Sequence, residues 1–316
     1  MADPTVHSDS GLATPEEMAA AIESSGYLVE ARVARVLTDR GFFVQRNIFC
    51  TNPNDATKPI EVDVVGRRGE LVNAENKSMV TASIVTECKN NDQPVAFFVQ
   101  PQEITELNEN WIKYGGYPSY SLDQVTNIHV PLHKLLEMKD WHHYCQASEI
   151  ATQFCGFTRG NNKKWKAEPN ERYSKSFSNL ALMATLDWEG MFGLQLQNIQ
   201  VQITYPVVVF QGPIYRVEEE RGGAKVEAAN HIQLHHSGTL NGQVVGAQID
   251  LVTESELPVF LETILSELNM FRDRIKLHYD RLLNSALDQK RVVSRSAFSH
   301  TVSERGPSSR LSVGRW

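Results

Sequence analysis

Two short stretches place charges where a buried strand would normally have none. One is Ile60-Glu61-Val62-Asp63-Val64-Val65-Gly66, and the other is Ile84-Val85-Thr86-Glu87-Cys88-Lys89-Asn90. Successive side chains on a strand point to opposite faces. Glu61 and Asp63 therefore share a face, Glu87 and Lys89 share a face, and Cys88 looks the other way to fill the core. If the two strands pair as a hairpin, Asp63 and Glu87 converge at one end of it. Two carboxylate oxygens, completed by water and a substrate phosphate, suit a hard divalent cation such as Mg²⁺. Such an ion polarises a phosphodiester and acidifies a bound water. Lys89, one position along the same face, can orient that water and offset charge in the transition state.

The element before these strands adds a fourth group. In Tyr27-Leu28-Val29-Glu30-Ala31-Arg32-Val33-Ala34-Arg35-Val36-Leu37, Glu30 stands three, four and seven residues before Val33, Ala34 and Leu37. Those spacings put it on the apolar stripe of a helix, facing the sheet. A carboxylate on that stripe is costly unless it is paired or holds a metal.

Helix, strand, Asp-bearing strand and Glu-x-Lys strand, in that order, resemble the PD-(D/E)xK nuclease superfamily with its restriction-endonuclease-like fold. The resemblance rests on Glu30, Asp63 and the Glu87-Cys88-Lys89 triplet, and it covers residues 26 to 90. It implies that Asp63 and Glu87 bind Mg²⁺, with Mn²⁺ able to substitute. It also implies that Lys89 assists the attacking water and that Glu30 supports the metal. The activity implied is metal-dependent hydrolysis of DNA phosphodiester bonds by an endonuclease of restriction, defence or DNA processing. RNA stays open as a substrate. Two departures stand out: Glu61-Val62 replaces the proline that often precedes the Asp, and 23 residues separate Asp63 from Glu87. The alternative reading is a catalytically inactive nucleic-acid- or protein-binding module on the same fold.

The elements that position these groups follow from the punctuation of the chain. Thr14-Pro15-Glu16-Glu17 opens a helix with a capping box and a proline in the first turn. A second helix runs from Tyr27 to Gly41, a favourable C-terminal stop. Residues 41–50, 59–70 and 83–90 are β-branched and aromatic, and read as strands. Beyond them, 103–114, 132–154 and 174–190 have helical character, whereas 199–217 and 247–254 read as strands. Pro206 requires a bulge or an edge. The expected architecture is α/β: a restriction-endonuclease-like core of helix, three-stranded sheet, helix and strand over 26–96 and 174–256. A mostly helical insertion fills 97–173, and a long helix covers 257–290. Its stripe of Phe260, Ile264, Leu268, Phe271, Ile275 and Leu282 could cover the sheet or form a homodimer. Residues 14–290 read as one domain, with a disordered stretch over 1–13 and a flexible basic tail over 291–316.

Arg159, Lys163, Lys164 and Lys166 surround Trp165, a mixture that suits phosphate contact and base stacking, or a plain solvated loop. His142-His143-Tyr144-Cys145 with Cys155, and His231-Ile232-Gln233-Leu234-His235-His236, match no recognised Cys/His spacing. They read as ordinary core and surface residues. In bulk, 41% hydrophobic and 22% charged residues are those of a globular protein of 316 residues, large enough to bury a core. The formal net charge of -7 excludes a uniformly basic coat but leaves room for a local basic groove. There is no signal peptide at the start and no apolar run long enough for a membrane span. Four cysteines in a chain this long fit a reducing, cytoplasmic setting.

Overall fold

The computed structural model describes residues 13–285 apart from 53, 56, 92, 103–110, 119, 124–127, 161, 162, 170, 187–197 and 241. The expected disordered start, up to residue 12, and the basic tail lie outside the described residues. Helix α1 (Pro15–Ser24) carries the capping box in full: the Thr14 hydroxyl accepts from Glu17 N–H, and the Glu17 carboxylate accepts from Thr14 N–H. Helix α2 (Tyr27–Asp39) starts at Gly26 with φ 88° and buries Val29, Val33, Ala34 and Leu37. Strands β1 (Phe43–Cys50), β2 (Ile60–Asn73) and β3 (Ser78–Lys89) form an antiparallel meander.

The chain then continues mostly as strand. β4 (Val95–Pro101), β5 (Lys113–Tyr117), β6 (Tyr120–Asp123) and β7 (Ile128–Pro131) precede two single turns, α3 (Leu132–Leu135) and α4 (His143–Gln146). Next come β8 (Glu149–Arg159), β9 (Trp165–Glu168), α5 (Glu171–Leu186), β10 (Gln200–Phe210), β11 (Ile214–Glu220), β12 (Gly223–Ala229), β13 (His231–Leu240), β14 (Gln243–Thr253) and α6 (Leu257–Leu277). The main sheet has twelve strands in the order β1-β2-β3-β10-β14-β13-β8-β4-β11-β12, with β5 added to β10 and β9 to β8.

This sheet overturns the expected small restriction-endonuclease-like core with a three-stranded sheet and a mostly helical insertion. The stretch taken as an insertion supplies β4, β8 and β9 to the same sheet. These strands are exposed or half-buried along much of their length, and β4 and β8 pair with each other from far apart in sequence, so local apolar pattern does not mark them as members of one sheet. Residues 132–154, expected as one helical stretch, hold only the single turns α3 and α4, separated where Glu137 takes φ 52°, and from Glu149 the chain runs on as β8.

Two layers of helix cover the sheet. On one face α2 and α6 enclose a core that includes Leu37, Ile84, Ile203, Ile264 and Phe271. On the other, α5 packs Phe177, Leu180 and Ala181 against Val62, Val85 and Val208. The apolar stripe of α6 is thus spent inside the chain. Pro206 lies within β10 at the point where β5 (paired to residues 200–204) has ended and β14 (paired to residues 207–210) has not begun. A residue with no N–H is harmless there.

Candidate active site and a second buried cluster

Asp63 marks a break in the regular sheet. Ile60 and Val62 pack into the core under α5, but Val64, of the same parity, packs under α2. Strict alternation would keep all three on one face. On β1, Arg46 pairs with Val64 and Ile48 with Val62, and Asn47 between them takes φ 52°. The β2–β3 ladder begins only at Val64 opposite Thr86, so the strands part at Asp63. In place of a ladder bond, the Cys88 N–H donates to Asp63 Oδ2 at 2.6 Å. The Asp63 carboxylate is therefore held at the fork, beside the end of β3.

Glu87 lies at the same end of β3, on the face that carries Val85 toward α5. It is buried and accepts from Lys89 Nζ at 2.7 Å through Oε2. Burial raises the Glu87 pKa; Lys89 opposes this, the Asp63 charge adds to it, and hydrogen bonds from Lys89 and Ser176 oppose it again. Glu30, half-buried in the first turn of α2, is also raised, by burial first and then by Asp63 and Glu61, with Arg46 and Lys89 pulling the other way. The structure thus brings Glu30, Asp63, Glu87 and Lys89 into one electrostatic neighbourhood. Glu61, exposed at the strand entry, adds charge from the rim. Burial, then Asp63, Glu30 and Glu87, hold the Cys88 thiol well above the usual range, which disfavours the thiolate.

This cluster opens to the surface. Gly26, at the start of α2, lies against the Cβ of Asn90 just past β3. A pocket of about 260 Å³ follows, lined by Asn90, Asn91, Gln93, Thr158, Glu168 and Tyr173. Its far wall belongs to the β8–β9 hairpin, whose tip carries the basic residues. Arg159 stacks over the Trp165 ring with its guanidinium carbon 5.9 Å from the centroid. Trp165, Lys164 and Lys166 ride on or beside β9, and Lys163 turns the hairpin with φ 61°. Arg159 and Trp165 thus close the ends of β8 and β9, and the pocket lies between this hairpin and the segment that follows β3.

A second set of ionisable groups lies in the interior, where the sequence had suggested ordinary core and surface residues. His143, on α4, reaches Glu267 Oε1 of α6 through Nδ1 at 2.9 Å and both oxygens of Asp250 on β14 through Nε2 at 3.2 Å. Asp250 also meets the Tyr144 hydroxyl at 2.9 Å and His231 Nε2 at 2.8 Å. The Tyr205 hydroxyl donates to Glu267 Oε2 at 3.0 Å. Burial would depress the His143 pKa, but Glu267 and Asp250 together push it up to about 10. His142, the more deeply buried of the two, is lowered to about 4 by desolvation. Despite burial, Asp250 is held below the usual carboxylate range by His143 and His231, and Glu267 by His142 and His143.

Motif spacing missed this cluster because its members come from five separate elements, α4, α6, β10, β13 and β14. A signal was available: Glu267 sits three residues after Ile264 and four before Phe271 on an apolar stripe, the same logic that singled out Glu30. Asp250 likewise interrupts the apolar run Ile249-Asp250-Leu251-Val252. No protein-family model, curated protein or solved structure matches this chain.

Proposed function

We propose that the chain is a metal-dependent nuclease that hydrolyses DNA phosphodiester bonds at the fork between β2 and β3. The observation that carries the reading is that Asp63 and Lys89, at the end of the β2–β3 pairing, act electrostatically on both Glu30 and Glu87. Glu30 and Glu87 are raised by burial and further by the Asp63 charge, and a cation there would relieve both. Their donors are all oxygen, as Mg²⁺ or Mn²⁺ requires. Asp63 and Glu87 would hold the ion, with Glu30 supporting it. The bound ion would supply Lewis-acid activation of the phosphodiester and of a water.

The chain's own groups do the rest. Lys89 is fixed by its bond to Glu87, which places an ammonium next to the attacking water and the phosphorane-like charge that develops. The new bond joins the water oxygen to phosphorus. The bond that breaks joins phosphorus to the departing sugar oxygen, which takes up a proton. The start of α2 presents backbone N–H groups on the same side, and this favours a phosphate there. Exposed Arg46 adds positive charge on the β1 side. Beyond the pocket, Arg159 and Trp165 suit a nucleic-acid strand leaving the site, one by charge and one by stacking.

The test is cleavage of plasmid and single-stranded DNA, and of RNA, in Mg²⁺ or Mn²⁺, with Asp63→Asn and Lys89→Ala beside the wild type. Cutting that needs the ion and both side chains supports the reading. Binding without cutting, unaffected by Asp63→Asn, would replace it with the binding-module alternative.

A further inference from the structure

The interior cluster is built of different atoms, and its hydrogen bonding leaves one group without a partner. His142 is fully buried, and its Nε2 makes no hydrogen bond. That nitrogen points toward Glu267 Oε2 at 3.9 Å, beyond hydrogen-bond reach. A buried imidazole nitrogen left in this way costs stability unless something completes it. Around it, one donor atom each from His142, His143 and Glu267 lie within 4.8 Å of one another. In a four-coordinate zinc site, donors about 2.0–2.2 Å from the ion lie roughly 3.3 Å apart. His143 Nδ1 lies 2.9 Å from Glu267 Oε1 and His142 Nε2 lies 3.9 Å from Glu267 Oε2, so the three side chains need to draw together only slightly to close on an ion.

The surrounding groups match what a ligated imidazole and carboxylate need. His143 gives its other nitrogen, Nε2, to Asp250 at 3.2 Å, the carboxylate–histidine arrangement that fixes tautomer and ring plane. Asp250 is held in turn by Tyr144 and His231. Glu267 receives the Tyr205 hydroxyl on the oxygen that His143 does not use.

We propose that His142, His143 and Glu267 form a zinc-class metal site that ties α4 to α6 beneath β10 and β14. Two imidazoles and one carboxylate select zinc, or cobalt as its spectroscopic substitute, over Mg²⁺. Its burial makes the role structural, distinct from the carboxylates at the β2–β3 fork. One contact must change: the Tyr144 N–H now donates to His142 Nδ1 at 3.2 Å. That places the ring proton on Nε2, and binding moves it to Nδ1 at the expense of this long bond.

The test is the metal content of full-length protein purified without added chelator, by mass spectrometry, followed by stripping and titration with Zn²⁺ and Co²⁺. About one zinc per chain is expected in the wild type and in Asp63→Asn, and a large loss in His142→Ala and Glu267→Gln. Stripped wild type should gain visible Co²⁺ absorption and regain thermal stability with Zn²⁺. The wild-type titration needs no variant to fold. The proposal falls if folded wild type carries no zinc and responds to neither ion. It falls equally if folded His142→Ala keeps full zinc, or if Asp63→Asn loses it.

Discussion

The molecule holds two sets of carboxylates with basic partners, and they differ in what surrounds them. At the β2–β3 fork, Glu30 and Glu87 are raised, because burial and neighbouring acids outweigh Lys89. In the interior, Asp250 and Glu267 are lowered, because imidazole nitrogens and tyrosine hydroxyls meet their oxygens. The first set stays short of positive charge and is only partly enclosed, with Glu30, Asp63 and Lys89 half-buried. The second is enclosed and richly bonded. Acids left in mutual repulsion at an opening suit an exchangeable hard cation and a phosphate. Acids embraced by imidazoles in the core suit a permanent bond across the fold.

The largest effect expected from this contrast is on stability. Asp250→Ala leaves His143 and His231 without the oxygens they share and strands a buried imidazolium. It should cost about 3–5 kcal/mol, the range for removing one partner of a buried pair. Urea unfolding measures it, and a loss below about 1 kcal/mol would mean the interior network is far less coupled than its geometry indicates. At the fork the large effect moves to catalysis. Lys89→Ala should lower DNA cleavage by about 10²–10³-fold, the cost of one lost transition-state donor. Equal cleavage by variant and wild type would remove Lys89 from the chemistry. A smaller effect is expected at the hairpin. Trp165→Ala should weaken single-stranded DNA binding by about 1–3 kcal/mol if a base stacks there, as fluorescence anisotropy at fixed salt would show. Unchanged affinity would return the hairpin tip to ordinary solvated surface.

These two regions were unequally legible in the sequence. The fork could be read because its residues lie on consecutive elements. Asp63, Glu87 and Lys89 sit on paired strands, and Glu30 follows from helical spacing. Even so, the face switch at Asp63 was invisible, since it depends on Asn47 of the neighbouring strand taking a positive φ. The interior cluster went unread because His143, His231, Asp250 and Glu267 meet only once β14, β13 and α6 are packed. The sheet was missed for a related reason. The runs that form β10 and β14 read as strands from the sequence, but β4, β8 and β11 pair with partners far away in sequence. Local pattern records which face a residue shows, but it does not record which strand will lie beside it.

The smallest predicted effect sharpens the comparison best, because it reverses the usual sign of a mutation. Glu30 has a raised pKa, so the folded chain holds that proton to higher pH than the unfolded chain does. The stability this confers is complete below the unfolded value, about 4.3, and is lost as pH rises through the folded pKa. At neutral pH the ionised Glu30 therefore weakens the metal-free fold, pressed by burial, Asp63 and Glu61. Glu30→Gln removes that charge. In chelator it should match wild type near pH 4 and exceed it at pH 7.5, by less than about 1 kcal/mol because the group is partly solvated. Mg²⁺ or Mn²⁺ should shrink or invert the difference, since only the wild type offers the ion a third carboxylate. Thermal unfolding of both proteins at the two pH values, with and without the ion, decides it. A variant that is less stable at both pH values would show that Glu30 is satisfied in the fold, and the fork would then resemble the interior cluster instead of contrasting with it.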